Sequence, residues 1–314
     1  MRILVVGAGA IGGYFGGRLL EAGRDVTFLV RPRRAAQLAK TGLVIRSPLG
    51  DASLPAPPTV TGDALREPFD LILLSCKAYD LESAADSFAP AVGVHTVILP
   101  LLNGMAHVDY LVARFGSAAV YGGQCVISTT LDAEGRILHL NDTHGLAFGE
   151  RDGSASARAE AVAATLSGAR FDSRLSRAIL QEMWEKWVLI ATMAGINCLM
   201  RANVGDILAA GAGQLSITLL EECAAIAAAQ GFAPGEPAMA RNRTMLTTPG
   251  SAFAASMLRD IERGAPIEAD HIVGDLVRRA EAQQRECPLL RISYAHLKAY
   301  EARRARENAV AKAA

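Results

Sequence analysis

The chain has 314 residues, which at roughly 150 per domain is enough for two domains that each bury a core. Lys plus Arg and Asp plus Glu both number 32, so no net positive field exists to hold nucleic acid or an anionic membrane, and 5% aromatic residues make no stacking platform for bases. With 51% hydrophobic and 20% charged residues, disorder is excluded and a small molecule becomes the expected partner.

Through about residue 150 the sequence repeats an apolar run, a turn and a helical stretch, as in parallel strands joined by crossover helices. Strands are predicted at 2–6, 25–30, 71–76 and 96–101. Leu71-Ile72-Leu73-Leu74 and Val97-Ile98-Leu99 are unbroken aliphatic runs, which suits strands covered on both faces. Runs at 124–130, 137–140 and 146–148, separated by turns such as Asp132-Ala133-Glu134-Gly135, read as an antiparallel extension. Composition changes at 151–158, and no strand is expected beyond about residue 173. Helices are predicted at 177–200, 206–230, 234–246, 253–263, 268–285 and 288–306, punctuated by Gly231, Gly264 and Pro288. The last eight or so residues are expected to fray. The Ala-rich stretch 207–229 packs either within the subunit or against a second copy, so a homodimer stays open.

Cys76, Cys125, Cys198, Cys223 and Cys287 are odd in number and form no CxxC pair, the pattern of reduced cytoplasmic thiols. There is no HExxH, and His139 and His144 lack acidic and cysteine neighbours at ligand spacing, so no metal is expected. Gly7, Gly9, Gly12, Gly13, Gly16 and Gly17 interrupt the opening apolar run, and no stretch reaches the ~18 apolar residues of a membrane span. A cytoplasmic protein without membrane contact is the expectation.

Gly7-Ala8-Gly9-Ala10-Ile11-Gly12 matches G-x-G-x-x-G directly after a predicted strand and at the opening of a helix. Gly7 allows the tight turn, Gly9 lets backbone approach a pyrophosphate, and Gly12 lets the helix pack closely while its N-terminal amides face the anion. The alternative is an ordinary glycine turn. At the end of the second strand, where NAD enzymes often place an acid, stands Arg31-Pro32-Arg33-Arg34. An Arg fork pairs with a 2′-phosphate, so Arg31, with Arg33 or Arg34, favours NADP over NAD; a solvated basic turn is the other reading. Lys77 and Asn103-Gly104-Met105 also lie beyond carboxyl ends of strands, where ligands collect in open α/β sheets, although Lys77 alone also suits a surface and Asn103 a turn cap. The fold class is α/β: a Rossmann-type doubly wound NADP-binding domain over 1–168 and an all-helical substrate and catalytic domain over 169–314.

With these residues stand Cys76-Lys77-Ala78, Leu102-Asn103-Gly104-Met105, Trp184-Glu185-Lys186-Trp187, Ser256-Met257-Leu258-Arg259-Asp260-Ile261 and Glu268-Ala269-Asp270-His271-Ile272-Val273-Gly274. Together they resemble the ketopantoate reductase family over almost the full length. The resemblance implies NADPH-dependent reduction of 2-dehydropantoate to pantoate, in pantothenate biosynthesis. It also implies a C-terminal domain like that of 6-phosphogluconate dehydrogenase and an active site in the cleft between the domains. By position it implies Lys186 as the catalytic lysine, Asn103 beside substrate and nicotinamide, Ser256 on substrate, and Glu268 as the active-site glutamate touching substrate and cofactor. Gly7, Ala8, Gly9, Ala10, Ile11, Gly12, Arg31, Lys77 and the backbone of Ser128 are implied on the cofactor.

Hydride delivery to a 2-keto carbon builds charge on oxygen, which an ammonium can stabilise and protonate. Each of these residues also has a plainer reading. Lys186 pairs with Glu182 one turn earlier, Glu268 complements a helix dipole, and Ser256 is packed or capping. The sequence departs from the family where asparagines commonly face substrate one and two turns after the lysine: Ile190 and Ala194 stand there. Neither hydrogen-bonds a hydroxyl or carboxylate, so a more apolar 2-keto acid is the alternative substrate. An NADPH-binding sensor without catalysis is the third reading.

Overall fold

In the computed structural model, which describes residues 1–313, the chain begins β1 (Arg2–Val6), α1 (Ala10–Glu21), β2 (Asp25–Leu29), α2 (Pro32–Thr41), β3 (Leu43–Arg46), β4 (Ala52–Leu54), β5 (Thr59–Val60), β6 (Leu71–Leu74), α3 (Leu81–Phe88) and β7 (Val97–Pro100). It continues with α4 (Ala106–Phe115), β8 (Gly122–Leu131), β9 (Ile137–Gly149), α5 (Ala157–Leu166) and β10 (Asp172–Leu175). Helices follow: α6 (Ile179–Met200), α7 (Val204–Ala209), α8 (Gly213–Ala229), α9 (Glu236–Leu246), α10 (Ser256–Glu262), a π-helical turn Asp270–Gly274 running into α11 (Asp275–Ala282), and α12 (Pro288–Ala313). Two units result, one of Met1–Leu102 with His107–Leu180, the other of Asn103–Ala106 with the chain from Gln181.

The first unit is built on a parallel sheet in the order β5-β2-β1-β6-β7. Period-two alternation sends Ile3 and Val5 into one core with Phe15, Phe28 and Leu99, and Leu4 and Val6 into another with Ile72, Phe88 and Ile98. Both faces are covered, as the unbroken aliphatic strands predict. The chain winds from β1 through β2 to β5, then resumes on the other side of β1 with β6 and β7. That reversal makes the carboxyl ends of β1 and β6 the crevice where ligands bind in doubly wound sheets.

The predicted antiparallel extension is a second, mixed sheet in the same unit. β8 pairs antiparallel with β9, whose other edge takes β3 in parallel near Ile137 and β10 in parallel from Gly145 to Phe148. The predicted runs 137–140 and 146–148 are therefore one strand. Its polar middle resembles a turn in sequence, yet Asn141 Oδ1 accepts the Ser128 amide at 3.0 Å where the ladder slips between Ile127 and Thr129. β4 and β5, with three and two residues, are too short to read from sequence, and the four-residue β3 ends on an exposed arginine and lacks the unbroken aliphatic run of β6. β10, with its alternating Asp172-Ser173-Arg174-Leu175, corrects the expectation of no strand beyond about residue 173.

In the second unit α6 is buried all round from Ala191 to Cys198, the mark of a central helix. The single helix predicted over 206–230 is two, divided at Gly211, whose φ of +75° ends α7. The tail expected to fray is helical through Ala313, and Ala314 lies outside the described residues. No described helix is long and apolar enough to cross a membrane.

A polar network ties the end of β9 to α5. Glu150 Oε1 accepts from Tyr121 and from Ser156, each at 2.7 Å, and its Oε2 accepts from Arg158 at 2.8 Å. Burial pushes the Glu150 carboxyl up, but these donors outweigh it and leave the pKa below the ordinary value. The stability so gained is present above the ordinary carboxylate range and fades as pH falls through the lowered pKa. Glu150→Gln is expected to cost about 1–3 kcal/mol and to flatten the acid limb, measured by urea unfolding from pH 7 to pH 3.

Candidate active site

At the β1–α1 turn Gly7 takes φ +94°, accessible at little cost only without a side chain, and its amide donates to the Leu29 carbonyl at 2.9 Å. A Cβ on Gly12 would collide with the Ser75 hydroxyl and the Gly7 carbonyl, so this glycine sets how closely α1 approaches the ends of β1 and β6. At Gly9 the reverse holds: a Cβ there would meet nothing within 4 Å. Gly9 also caps α1 with no side-chain bond, so the first-turn amides beginning at Ala10, Ile11 and Gly12 are presented to an anion. An open approach at Gly9 beside uncapped amides fits a dinucleotide pyrophosphate.

The three arginines after β2 separate. Arg34 is a splint: Nε donates to the Ala8 carbonyl at 3.0 Å and Nη2 to the Gly135 carbonyl at 3.1 Å, holding the glycine turn to the β8–β9 hairpin. Burial lowers its pKa from the ordinary value. Arg33 is exposed. Arg31, 73% exposed, donates through Nη2 to Asp80 Oδ1 at 2.7 Å, an ion pair that sequence reading did not foresee. Lys77 is exposed in the same post-β6 segment, its carbonyl accepting the Asp80 amide at 2.9 Å. The Ser128 amide, expected to contact cofactor, is engaged by Asn141.

Within the second unit Lys186 Nζ donates to Asn103 Oδ1 at 3.0 Å. The helix carrying Lys186 is fastened by the neighbouring indole, as Trp187 is 1% exposed and its Nε1 donates to the Ile272 carbonyl at 2.9 Å. Ile272 lies in the π-helical turn, and its amide returns to the Glu268 carbonyl at 3.0 Å, so Glu268 stands at the start of that turn. The same turn is held from α12, where Tyr294 donates to Asp270 Oδ1 at 2.6 Å and Lys298 to Asp270 Oδ2 at 3.0 Å. Such π turns recur at functional sites.

Gly104, at φ +80°, lies against His271: a Cβ there would stand 3.1 Å from the His271 carbonyl oxygen and 3.4 Å from Nε2. Burial drives the imidazole pKa down, against the pull of the Glu268 charge and a hydrogen bond to the Asn103 backbone. Asn103, Lys186, Glu268 and His271 thus form one cluster. His271 was legible only as part of a motif; its position three residues after Glu268 was the available signal.

Ser256 is exposed in the first turn of α10, and Ala255, the cap residue, makes no side-chain cap bond, so Ser256 is neither packed nor the cap. Asn197, fully buried, sets that turn by accepting the Ala255 amide on Oδ1 at 3.0 Å while its Nδ2 donates to the Ala202 carbonyl at 2.8 Å. Ile190 is half-buried and Ala194 is 1% exposed, so of the two apolar replacements Ile190 is the one a ligand can touch. Among the described residues no group of three His, Cys, Asp or Glu side chains is placed to hold a metal.

Two family models account for most of the chain: Ketopantoate reductase PanE/ApbA over residues 3–153 and Ketopantoate reductase PanE/ApbA C terminal over 178–301. The chain belongs to the ketopantoate reductase family. It is an oxidoreductase of that family, with the family's parallel-sheet N-terminal domain and helical C-terminal domain. It is 40% identical over 305 residues to the uncharacterized oxidoreductase YkpB of Bacillus subtilis (strain 168), covering 96% of this chain and 99% of YkpB. The crystal structure of 2-dehydropantoate 2-reductase from Methylococcus capsulatus matches with a TM-score of 0.85 at 29% identity, over 97% of this chain and 98% of that one. The ternary structure of D-mandelate dehydrogenase with NADH and anilino(oxo)acetate matches in fold, with a TM-score of 0.87 at 22% identity over 97% and 99% of the two chains.

The collision at Gly12 generates a test. Gly12→Ala is expected to force α1 off the sheet, lowering stability by about 1–3 kcal/mol and weakening nicotinamide dinucleotide binding at least about tenfold, measured by thermal melting and by calorimetric titration with NADPH and with NADH.

Proposed function

We propose that this protein reduces a 2-keto acid to the 2-hydroxy acid with NADPH, and that 2-dehydropantoate is the first substrate to test. The observation that carries the reading is the Lys186 ammonium held on Asn103 Oδ1 at 3.0 Å, where the Asn103 backbone in turn meets His271, which feels the charge of Glu268. On this reading residues 1–168 bind the cofactor and 169–314 the substrate. Gly7, Ala8, Gly9, Ala10, Ile11 and Gly12 hold the pyrophosphate, Arg31 and Lys77 the ribose phosphate, and the Ser128 backbone, through its carbonyl because Asn141 takes its amide, together with Asn103 and Glu268 the remainder. When bound, the nicotinamide supplies a hydride to the keto carbon.

Lys186 then provides what that transfer lacks. As the carbonyl π electrons move onto oxygen, the ammonium neutralises the growing charge and gives up a proton, leaving a hydroxyl and a neutral amine that regains its proton from solvent. Asn103 fixes the lysine's direction. Glu268 accepts from the new hydroxyl, and Ser256 donates to the substrate carboxylate. Reduction of 2-dehydropantoate would assign the protein to pantothenate biosynthesis in the cytoplasm, a reducing compartment that suits its free cysteines.

Ile190 favours a second reading in which the same reaction acts on a more apolar 2-keto acid, since a half-buried isoleucine offers a ligand no hydrogen bond. A panel of 2-keto acids assayed with NADPH and NADH separates the readings: best turnover of 2-dehydropantoate supports the first, and best turnover of a branched or aryl acid the second. Lys186→Ala is expected to lower kcat by about 10²-fold or more while the Kd for NADPH changes less than about twofold. An unchanged kcat would eliminate Lys186 as the acid, and absence of turnover by the native protein with every acid would favour a cofactor-binding sensor.

A further inference from the structure

We propose that Asp80 sets the choice between NADPH and NADH by competing with a 2′-phosphate for the Arg31 guanidinium, an inference that rests on the dinucleotide reading of the first unit. The sheet order supplies the geometry. β2 and β6 are the two neighbours of β1, so the segments that follow them flank the glycine turn that follows β1. Arg31 comes from one side and Asp80 from the other, and they meet at 2.7 Å.

The carboxylate of Asp80 is not spent where an aspartate in its position usually is. Asp80 is the cap residue of α3 (Leu81–Phe88), yet its side chain makes no cap hydrogen bond. Its backbone is fixed instead, the amide donating to the Lys77 carbonyl at 2.9 Å and the carbonyl accepting from Ser83 Oγ at 3.1 Å. The side chain turns to Arg31 with 35% of its surface exposed, while Arg31 keeps 73%. An incoming ligand therefore meets both charges together.

The two cofactors differ in what they ask of this pair. A 2′-phosphate needs the guanidinium and is repelled by a carboxylate already bound to it, whereas a ribose 2′-hydroxyl donates to a carboxylate without displacing anything. Asp80 thus lowers the advantage that Arg31 gives to NADPH and admits NADH. In an exposed, water-rich setting one such charge changes binding modestly, by about 3- to 10-fold.

The test reads binding of cofactor fragments, so it does not depend on turnover. The full-length protein is titrated calorimetrically with 2′,5′-ADP and with 5′-ADP, in native form and as Asp80→Asn, Asp80→Ser and Arg31→Gln, with thermal melting to establish folding. Removing the Asp80 charge is expected to tighten 2′,5′-ADP by about 3- to 10-fold and to leave 5′-ADP unchanged or slightly weaker; Arg31→Gln is expected to weaken 2′,5′-ADP alone, by about tenfold. A ratio of the two affinities that stays within twofold of native in both Asp80 variants, or that moves toward 5′-ADP, overturns the proposal while leaving the dinucleotide site intact. Failure of the native protein to bind either fragment overturns both.

Discussion

The proposed chemistry depends on one hydrogen bond, from the Lys186 ammonium to the Asn103 side chain. A lysine carries four flexible carbons and three donors, so an acid that must meet a single oxygen has to be restrained before substrate arrives. Restraint comes from packing. Trp187 is locked by its bond to the Ile272 carbonyl, Gly104 closes on His271 at a φ of +80° where a Cβ would be strained and crowded, and His271 is hydrogen-bonded to the Asn103 backbone. The apolar surroundings that anchor the two tryptophans place the charge on α6 at a helix surface with a defined partner.

The glycine turn solves a different problem with the opposite means. On the proposed reading the backbone itself is the ligand-binding group there, and side chains are absent or withdrawn so that it can be reached. Gly12 brings α1 down onto the Ser75 region, while Arg34 engages the Ala8 and Gly135 carbonyls. Position in the motif does not distinguish Arg31 from Arg34; the division arises because Arg34 lies within reach of two carbonyls and Arg31 within reach of a carboxylate.

Features governed by short-range rules were legible in the sequence. Leu71-Ile72-Leu73-Leu74 announces a strand covered on both faces, and G-x-G-x-x-G after a strand announces the turn, because these patterns follow from the chain's own geometry. What escaped reading depends on distant partners. β9 reads as two strands because its polar centre serves a ladder slip 13 residues away in sequence, and β10 is a strand only because β9 offers it an edge. Likewise Lys186, Asn103 and Glu268 stood out by family resemblance, whereas Asp80 and His271 gained roles only when Arg31 and Gly104 were seen against them.

The π-helical turn at Asp270–Gly274 carries one more residue than an α-helical turn would. An extra residue rotates everything beyond it by about 100°, so Glu268 and His271 keep one azimuth while α11 presents Leu276, Val277 and Ala280 to the core on another. Removing a single residue here would restore regular winding, yet it would also swing either the acidic group or the apolar stripe out of register. Length in this stretch is therefore constrained more tightly than composition: a side chain can be exchanged without moving its neighbours, whereas a deletion turns every residue beyond it.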